Sequence, residues 1–536
     1  MRIYLALSLG CMLVALVLLR VFALSTNVFD LGLFLTNFEN AGQEWQRAFQ
    51  GHSQPLMLLW GAGYQLLPAA VSTQVLVLLQ AGALLASVAA VWRVYGALPG
   101  AAMLLYYPLW VNALFDFHFD HLAVPLLTAF FIGCEKRLFG YAAVAAAALV
   151  LIKEPFTLQT MACGLYFWWL AIYRREYAKR LLGMGAGLVL LGGAAFYVQI
   201  YWLIPYFTAD GARFAFSAGA FSWLGSNPLD MLWNLLSKPW LVLTEMFGAP
   251  GKVAYIAVIF GSLMFVPLLR PAALIVALPL LMIALLSRSA NYYSYANHYT
   301  AGVIVPAIVA FRDGLPAGSR YFAMAWKQVV KIWQPRPEAG AKWPVLVDSG
   351  KSFAGILLVW LVAGHWAMAS SPISRLFWSD KVWSYSWRAY LPTERTTMIK
   401  QAILDYIPAD TGISVSSQNT VNDYRLARRE TYMPFPMGVD KPYEVMDWSN
   451  RSWSGLWAFI YSGEKPPARM RERFADYVVL DLRRPYFIAD KGCEWIYGQC
   501  RDKAVEKSFL DWVAYARAHY DTVFERDGFM ILKRRV

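Results

Sequence analysis

Two aspartates and two histidines fall within seven residues, in the stretch "FDFHFDH" from Phe115 to His121. Carboxylates and imidazoles are the side chains that move protons near neutral pH and hold cations. In an extended segment the alternation points Asp116, His118 and Asp120 one way and turns Phe117 and His121 elsewhere. Four other short stretches carry the same residue types. "NVFD" ends in Asp30, "GHSQP" holds His52 and Gln54, "IKEP" holds Lys153 and Glu154, and "NYYSYANHY" holds His298 and Tyr299. Long apolar runs flank each of them, so what they can do depends on where those runs place them.

The runs define the class. In a chain of 536 residues, 58% hydrophobic content against 15% charged, with a mean hydropathy of +0.41, excludes an ordinary soluble composition and implies a polytopic α-helical membrane protein. Segments of roughly 20 apolar residues can satisfy their own backbone in lipid. Eleven spans are expected, at approximately 3–24, 72–92, 98–114, 120–134, 138–152, 156–173, 181–205, 252–269, 272–287, 299–311 and 353–370. Lys and Arg then divide sixteen against six between alternate faces, which sets the amino terminus in the cytoplasm and the carboxy terminus outside. All five polar stretches come to the external face, together with nine of the fourteen acidic residues that precede residue 372. The first span lacks a clear cleavage site and is expected to be a retained anchor.

Residues 1–371 form the expected membrane domain. Within it, 25–71 is an external loop with two interfacial helices, one after Asp30 with Leu31, Phe34, Leu35 and Phe38 at helical spacing, and one over Pro55–Leu67. A second external loop covers 206–250, and 312–352 is a basic cytoplasmic loop. Residues 372–536 have the composition of a soluble extracytoplasmic α/β domain. Helical periodicity appears in "RTTMIKQAILDYI" and "AVEKSFLDWVAYARAH", strand patterns in "GISVSS", "DYVVLDL" and "DTVFERDGFMILKR", and Asp527-Gly528 marks a type I′ hairpin turn. Cys493 and Cys500 in this domain are spaced for a short-loop disulfide, whereas Cys11, Cys134 and Cys163 read as packed thiols. Phosphate-cradling glycine motifs, internal repeats and nucleic-acid modules are missing, so the net charge of +13 is assigned to loops facing an anionic leaflet.

In combination, "FDLGLF", "GHSQP", "FDFHFDHLAVP", "IKEP" and "HY" resemble a bacterial family of predicted membrane proteins of unknown function. The span order, the aspartate after the first span and the external carboxy-terminal domain resemble the GT-C superfamily of membrane glycosyltransferases. That resemblance implies an inverting transfer of a sugar from a polyprenyl-phosphate donor to an envelope glycan, lipid or protein, on the outer face of the bacterial cytoplasmic membrane. It implies that Asp30 acts as base or acceptor-orienting group, with Asp120 as a second catalytic carboxylate. Lys153, His52 and His298 would meet the donor phosphate, and Gln54, Asp116, His121 and Tyr299 would line the substrate pocket. Where aminoarabinose transferases resemble "KPP", this chain has "HSQP", so a lysine contact is not expected there. Oxygen and imidazole ligands from Asp30, His118, Asp120 and Glu154 would suit a divalent cation such as Mg, Mn or Ca.

Plainer roles exist for the same residues. Asp30 can cap a helix, Asp116 and His121 can bond within their turn, Lys153 can snorkel to headgroups, and His298 with Tyr299 can anchor at the interface. Two other functions compete with transfer: a transporter or flippase of an envelope precursor, and a non-catalytic envelope scaffold.

Overall fold

In the computed structural model the described residues are 2–39, 45–49, 52–207, 220–225, 228–295, 297–333, 349–379, 386–409, 412–427, 431–436, 438–439, 474–484 and 503–535. The helices run α1 Arg2–Phe22, α2 Leu33–Glu39, α3 Leu56–Tyr64, α4 Ala69–Tyr95, α5 Ala97–Leu105, α6 Tyr107–Leu114, α7 Ala123–Glu135, α8 Phe139–Ala148, α9 Glu154–Tyr173, α10 Ala178–Val198 and α11 Ile204–Phe207. They continue with α12 Pro228–Ser237, α13 Pro239–Phe247, α14 Pro250–Ile256, α15 Leu274–Leu286, α16 Ala301–Trp333 and α17 Ser349–Met368. The carboxy-terminal part adds α18 Glu394–Tyr406, α19 Tyr424–Ala427 and α20 Lys503–His519 around five short strands.

All eleven segments expected from hydropathy fall on helices. Among the described residues four helices are long and apolar enough to cross a membrane, or up to six if each bent pair is one span. The difference from eleven arises because several segments are shorter or broken. Ala6–Phe22, Phe139–Leu151 and Pro271–Leu286 have fewer than 18 residues, while α5–α6 bends by 51° and α13–α14 by 83°.

A break in an apolar helix frees carbonyls that lipid cannot satisfy. At the α5–α6 break, Trp110 Nε1 donates to Leu104 O at 2.7 Å and His365 Nδ1 lies 3.3 Å from Leu105 O. Tyr106 OH reaches Ile259 O at 2.8 Å. His365, which carries no role in the sequence, thus serves the broken helix, with its other nitrogen 2.7 Å from Ser371 Oγ.

Helices α9 and α10 approach through glycines. A Cβ at Gly164 would lie 2.5 Å from Gly185 O, and one at Gly185 would lie 2.6 Å from the Trp168 indole. Small residues let backbones meet in this way, and dispersion contacts replace the hydrophobic drive that lipid removes.

The sheet has strand order β2-β1-β3-β5-β4, with β1 Ser414–Ser417, β2 Thr431–Pro434, β3 Tyr477–Asp481, β4 Tyr520–Arg526 and β5 Phe529–Arg534. β1 pairs in parallel with β2 and β3, while β3–β5 and β4–β5 are antiparallel. Alternation along β3 and β5 sends Val478, Leu480, Met530 and Leu532 toward Phe509, Val513 and Ala516 of α20. The β4–β5 turn is the expected one: Arg526 pairs with Phe529, and Asp527 and Gly528 both have positive φ, 52° and 77°. Cys134 and Cys163 are buried thiols and Cys11 is exposed; Cys493 and Cys500 lie outside the described residues.

Gly164→Val forces α9 and α10 apart and is expected to cost about 1–3 kcal/mol, lowering the thermal midpoint of purified protein in detergent. Gly187→Ala, where a Cβ meets nothing within 4 Å, should leave it unchanged.

Candidate active site

Asp30 lies in a wide helical turn, Val28–Gly32, between α1 and α2. Its N-cap is Asn27, so Asp30 sits inside the first turn and does not cap it. Its side chain is 23% exposed, the most open carboxylate of the cluster. The heptapeptide is fully folded in: 115–118 is extended, 119–122 is a single tight helical turn, and Asp116, His118, Asp120 and His121 are all buried.

Three sets of contacts hold it there. Asp116 Oδ1 lies 3.1 Å from Arg20 Nη2, and its Oδ2 accepts from the Asn27 amide at 2.5 Å. Arg20 also donates to Ser25 O at 2.8 Å and to Leu114 O, so one guanidinium ties the end of α1 to the end of α6. Gln80, from α4, donates to Asn112 O and Phe115 O, each at 3.2 Å, and accepts from the His118 amide at 3.3 Å. Asn112 Nδ2 reaches Thr300 Oγ1 at 2.6 Å. Phe117 and Phe119 complete the anchoring by turning away from the polar groups, edge-on to Phe34 at 5.6 and 5.5 Å.

His118 brings Asp30 into the cluster: its Nε2 is 3.4 Å from Asp30 Oδ1 and its Nδ1 3.2 Å from Asp116 O. Burial pushes its imidazole down to about 4, so the ring is neutral at pH 7 and the contact with Asp30 is not an ion pair. A neutral ring has one N–H to divide between these two acceptors. The ring stacks on His298 with centroids 3.8 Å apart and 20° between planes. His298 Nε2 is 3.9 Å from Asp120 Oδ1, and Lys153 Nζ is 4.0 Å from Asp120 Oδ2. Tyr299 lies beside them, its ring centroid 5.9 Å from the Lys153 ammonium. Asp30, His118, His298, Asp120 and Lys153 therefore form one continuous chain of contacts.

Its centre is under-bonded. Asp120 Oδ2 and both ring nitrogens of His298 and of His121 are buried without a hydrogen-bond partner among the described residues. Buried polar atoms are almost always paired, so a group of orphans facing one another marks a place for a polar guest.

Other expected site residues lie differently. His52, about one-third exposed, has its Nδ1 2.6 Å from Glu154 Oε1, and the Ser53 amide donates to Glu154 Oε2 at 3.2 Å. Glu154 is therefore engaged across the loop and does not join Asp30, His118 and Asp120 as a cation shell. Among the described residues no three His, Cys, Asp or Glu side chains are arranged to hold a metal ion, because the imidazoles stack on each other and the carboxylates take separate partners. Asp116 faces Arg20 and Asn27 and not the pocket centre, since a carboxylate with no exposed surface requires a compensating cation or donor; its Oδ1 has the guanidinium at 3.1 Å without a hydrogen bond, and its Oδ2 the Asn27 amide. His121, expected to turn away, has its ring 6.2 Å from His118 and 6.4 Å from His298, because the helical turn at 119–122 breaks the alternation. Gln54 is buried in the loop, its backbone N–H donating to Ala48 O at 2.7 Å.

Arg20, Asn27, Gln80, Asn112 and Thr300 position the site and escape a search for reactive residues. For Arg20, Gln80 and Asn112 the one visible signal was a charge or amide inside an apolar run; Asn27 and Thr300 carried none.

Residues 20–347 match the family described as predicted membrane protein (DUF2079). Among solved structures, ArnT from Cupriavidus metallidurans bound to undecaprenyl phosphate is similar at 13% identity and a TM-score of 0.42, over 99% of this chain and 97% of that one. A score that low does not establish a common fold. No curated protein matches the sequence.

Arg20→Met leaves the Asp116 carboxylate buried without its cation and is expected to cost about 3–5 kcal/mol. The double variant Arg20→Met/Asp116→Asn should recover part of that loss, read as the thermal midpoints of the two purified proteins; equal midpoints would show that the pair is not coupled.

Proposed function

The chain belongs to the DUF2079 family of predicted membrane proteins, and we propose that it is an inverting glycosyltransferase of GT-C type, moving a sugar from a polyprenyl-phosphate donor to an envelope acceptor. The observation that carries this reading is the under-bonded centre: Asp120 between Lys153 and His298, with the more open Asp30 one imidazole away. A phosphate anion would supply the acceptors that a buried ammonium and the imidazole N–H groups need. Lys153, at 4.0 Å from Asp120, is close enough to be charge-balanced and too far to be spent in a hydrogen bond.

Asp30 would take the proton of the acceptor hydroxyl while that oxygen forms its bond to the anomeric carbon. The bond from that carbon to the phosphate oxygen breaks and the lipid phosphate leaves with the electron pair, so a single displacement inverts the centre. Negative charge grows on the leaving phosphate, where Lys153, assisted by His298, stabilises the transition state more than the ground state. Asp120 holds Lys153 in place while the site is empty. His52 and Glu154 close the loop alongside. The quartet expected for a divalent cation does not fit one, and no step is routed through a metal. The site would face the outside of the bacterial cytoplasmic membrane, with the carboxy-terminal domain on the same side.

The transporter reading gains one point from the two bent helix pairs, since transporters bind at broken helices. Substrate movement in sealed vesicles without covalent transfer would establish it.

With purified full-length protein, radiolabelled polyprenyl-phosphate sugars and an envelope extract as acceptor, Asp30→Asn is expected to lower turnover about 10²–10⁴-fold. Lys153→Met should lower it as well, with both proteins still folded. Wild-type turnover by Asp30→Asn removes that residue from the mechanism.

A further inference from the structure

In an α/β sheet the crevice beyond the carboxyl ends of parallel strands is where ligands bind. Here that crevice is filled by the chain's own residues 22–28, the segment that leads from α1 to Asp30. Beyond β1, Asn419 O accepts from the Val28 amide at 2.9 Å, and Asn422 Nδ2 donates to Thr26 Oγ1 at 3.0 Å. Beyond β3, the buried Arg484 donates to Ala23 O at 2.8 Å, to Leu24 O, and to Thr420 O at 3.1 Å. From α18, Lys400 Nζ donates to Phe22 O at 2.7 Å.

These contacts fall where α1 ends. Leu24 has φ 55°, a left-handed position that stops the helix and leaves its last carbonyls to be satisfied from elsewhere. Two cationic side chains of the carboxy-terminal part supply the donors. Arg484 is itself oriented by Asp481, whose carboxylate has no exposed surface and lies 3.3 Å from Arg484 Nε. Arg395 takes both oxygens of the same carboxylate at 2.7 Å, leaving Arg484's remaining nitrogens to face α1. The next residues along, Asn27 and Arg20, are the partners of Asp116. The sheet is thereby connected through this segment to both carboxylate-bearing turns, and β2 also packs directly against Val28–Gly32.

We infer that the carboxy-terminal sheet is a clamp that positions Asp30, with Arg484 as its principal positioning residue. The functional part of this inference rests on the role proposed above for Asp30; the structural part does not. The clamp holds the Val28–Gly32 turn at the distance from His118 that the site requires, and without it that turn exchanges among other arrangements while the helical bundle stays folded.

Hydrogen–deuterium exchange on full-length protein in detergent tests it directly, comparing wild type with Arg484→Met, Asn422→Ala and Thr26→Val. The expected result is exchange about tenfold or more faster at amides 24–32 in Arg484→Met, a smaller increase in the other two, and no change in α9 or α15. Unaltered exchange at 24–32 in all folded variants overturns the clamp. Should Arg484→Met fail to fold, the two milder variants decide the question by the same readout. In transfer assays Arg484→Met should lower kcat while the KM for the lipid donor stays within about twofold; a change in KM alone, with kcat intact, would also overturn it. If wild-type protein shows no transfer, the assignment of Asp30 falls, and the exchange data still settle the clamp.

Discussion

A carboxylate with no access to water must be met by a compensating charge or by donors, and in this protein Asp116 shows that requirement most directly. Arg20 and the Asn27 amide answer it. Because Arg20 is the last charged residue of α1 and Asn27 begins the turn that carries Asp30, satisfying Asp116 also fixes where α1 ends relative to α6. Gln80 repeats the device from α4, bonding three backbone groups of the same turn with one amide. The turn is therefore rigid in its backbone, and the reactive-looking side chains hang from a frame they do not build.

That division explains the contrast within one heptapeptide. Each of Asp116 and Asp120 has one buried oxygen with no hydrogen bond, but Asp116 has Arg20 at 3.1 Å and the Asn27 amide at 2.5 Å, whereas Asp120, four residues on, has only the Lys153 ammonium and the His298 imidazole near 4 Å. The closer cation holds Asp116 to the end of α1, while Asp120 sits beside a lysine and an imidazole at distances too long for hydrogen bonds. Phe117 and Phe119 make the contrast possible by anchoring the alternate positions among Phe34, Phe38 and Trp60. The neutral His118 separates Asp30 from this centre without adding charge to it.

The same logic of answering buried polar groups governs the bundle. Where α5 breaks, Trp110 and His365 take the freed carbonyls, and where α1 stops, Arg484 and Lys400 do so from the other end of the sequence. Lipid offers no donors, so at these two interruptions side chains from within or beyond the helix pair take up the freed carbonyls. At the end of α1 that recruitment joins the bundle to the carboxy-terminal part, whereas at the α5–α6 break it stays within the bundle.

Sequence alone was sufficient for what depends on local composition. The apolar runs located eleven helical segments, since each must satisfy its own backbone, but not α12 and α13 within the stretch expected as the 206–250 loop, nor the continuation of α16 to Trp333 within the stretch expected as the 312–352 loop; strand alternation with Asp527-Gly528 located the hairpin, since a turn with positive φ at both residues suits strands of that twist. It also singled out Asp30, Asp116, His118, Asp120, Lys153 and His298, because charge is rare at the edge of an apolar run. Which of these pair with which is a property of distant segments meeting. Glu154 adjoins Lys153 in sequence yet bonds His52, and Asp116 shares a heptapeptide with Asp120 yet belongs to Arg20. Partners of that kind were decided only by the tertiary structure, because a buried charge is satisfied by whatever donor packing brings within about 3 Å, at whatever separation along the chain.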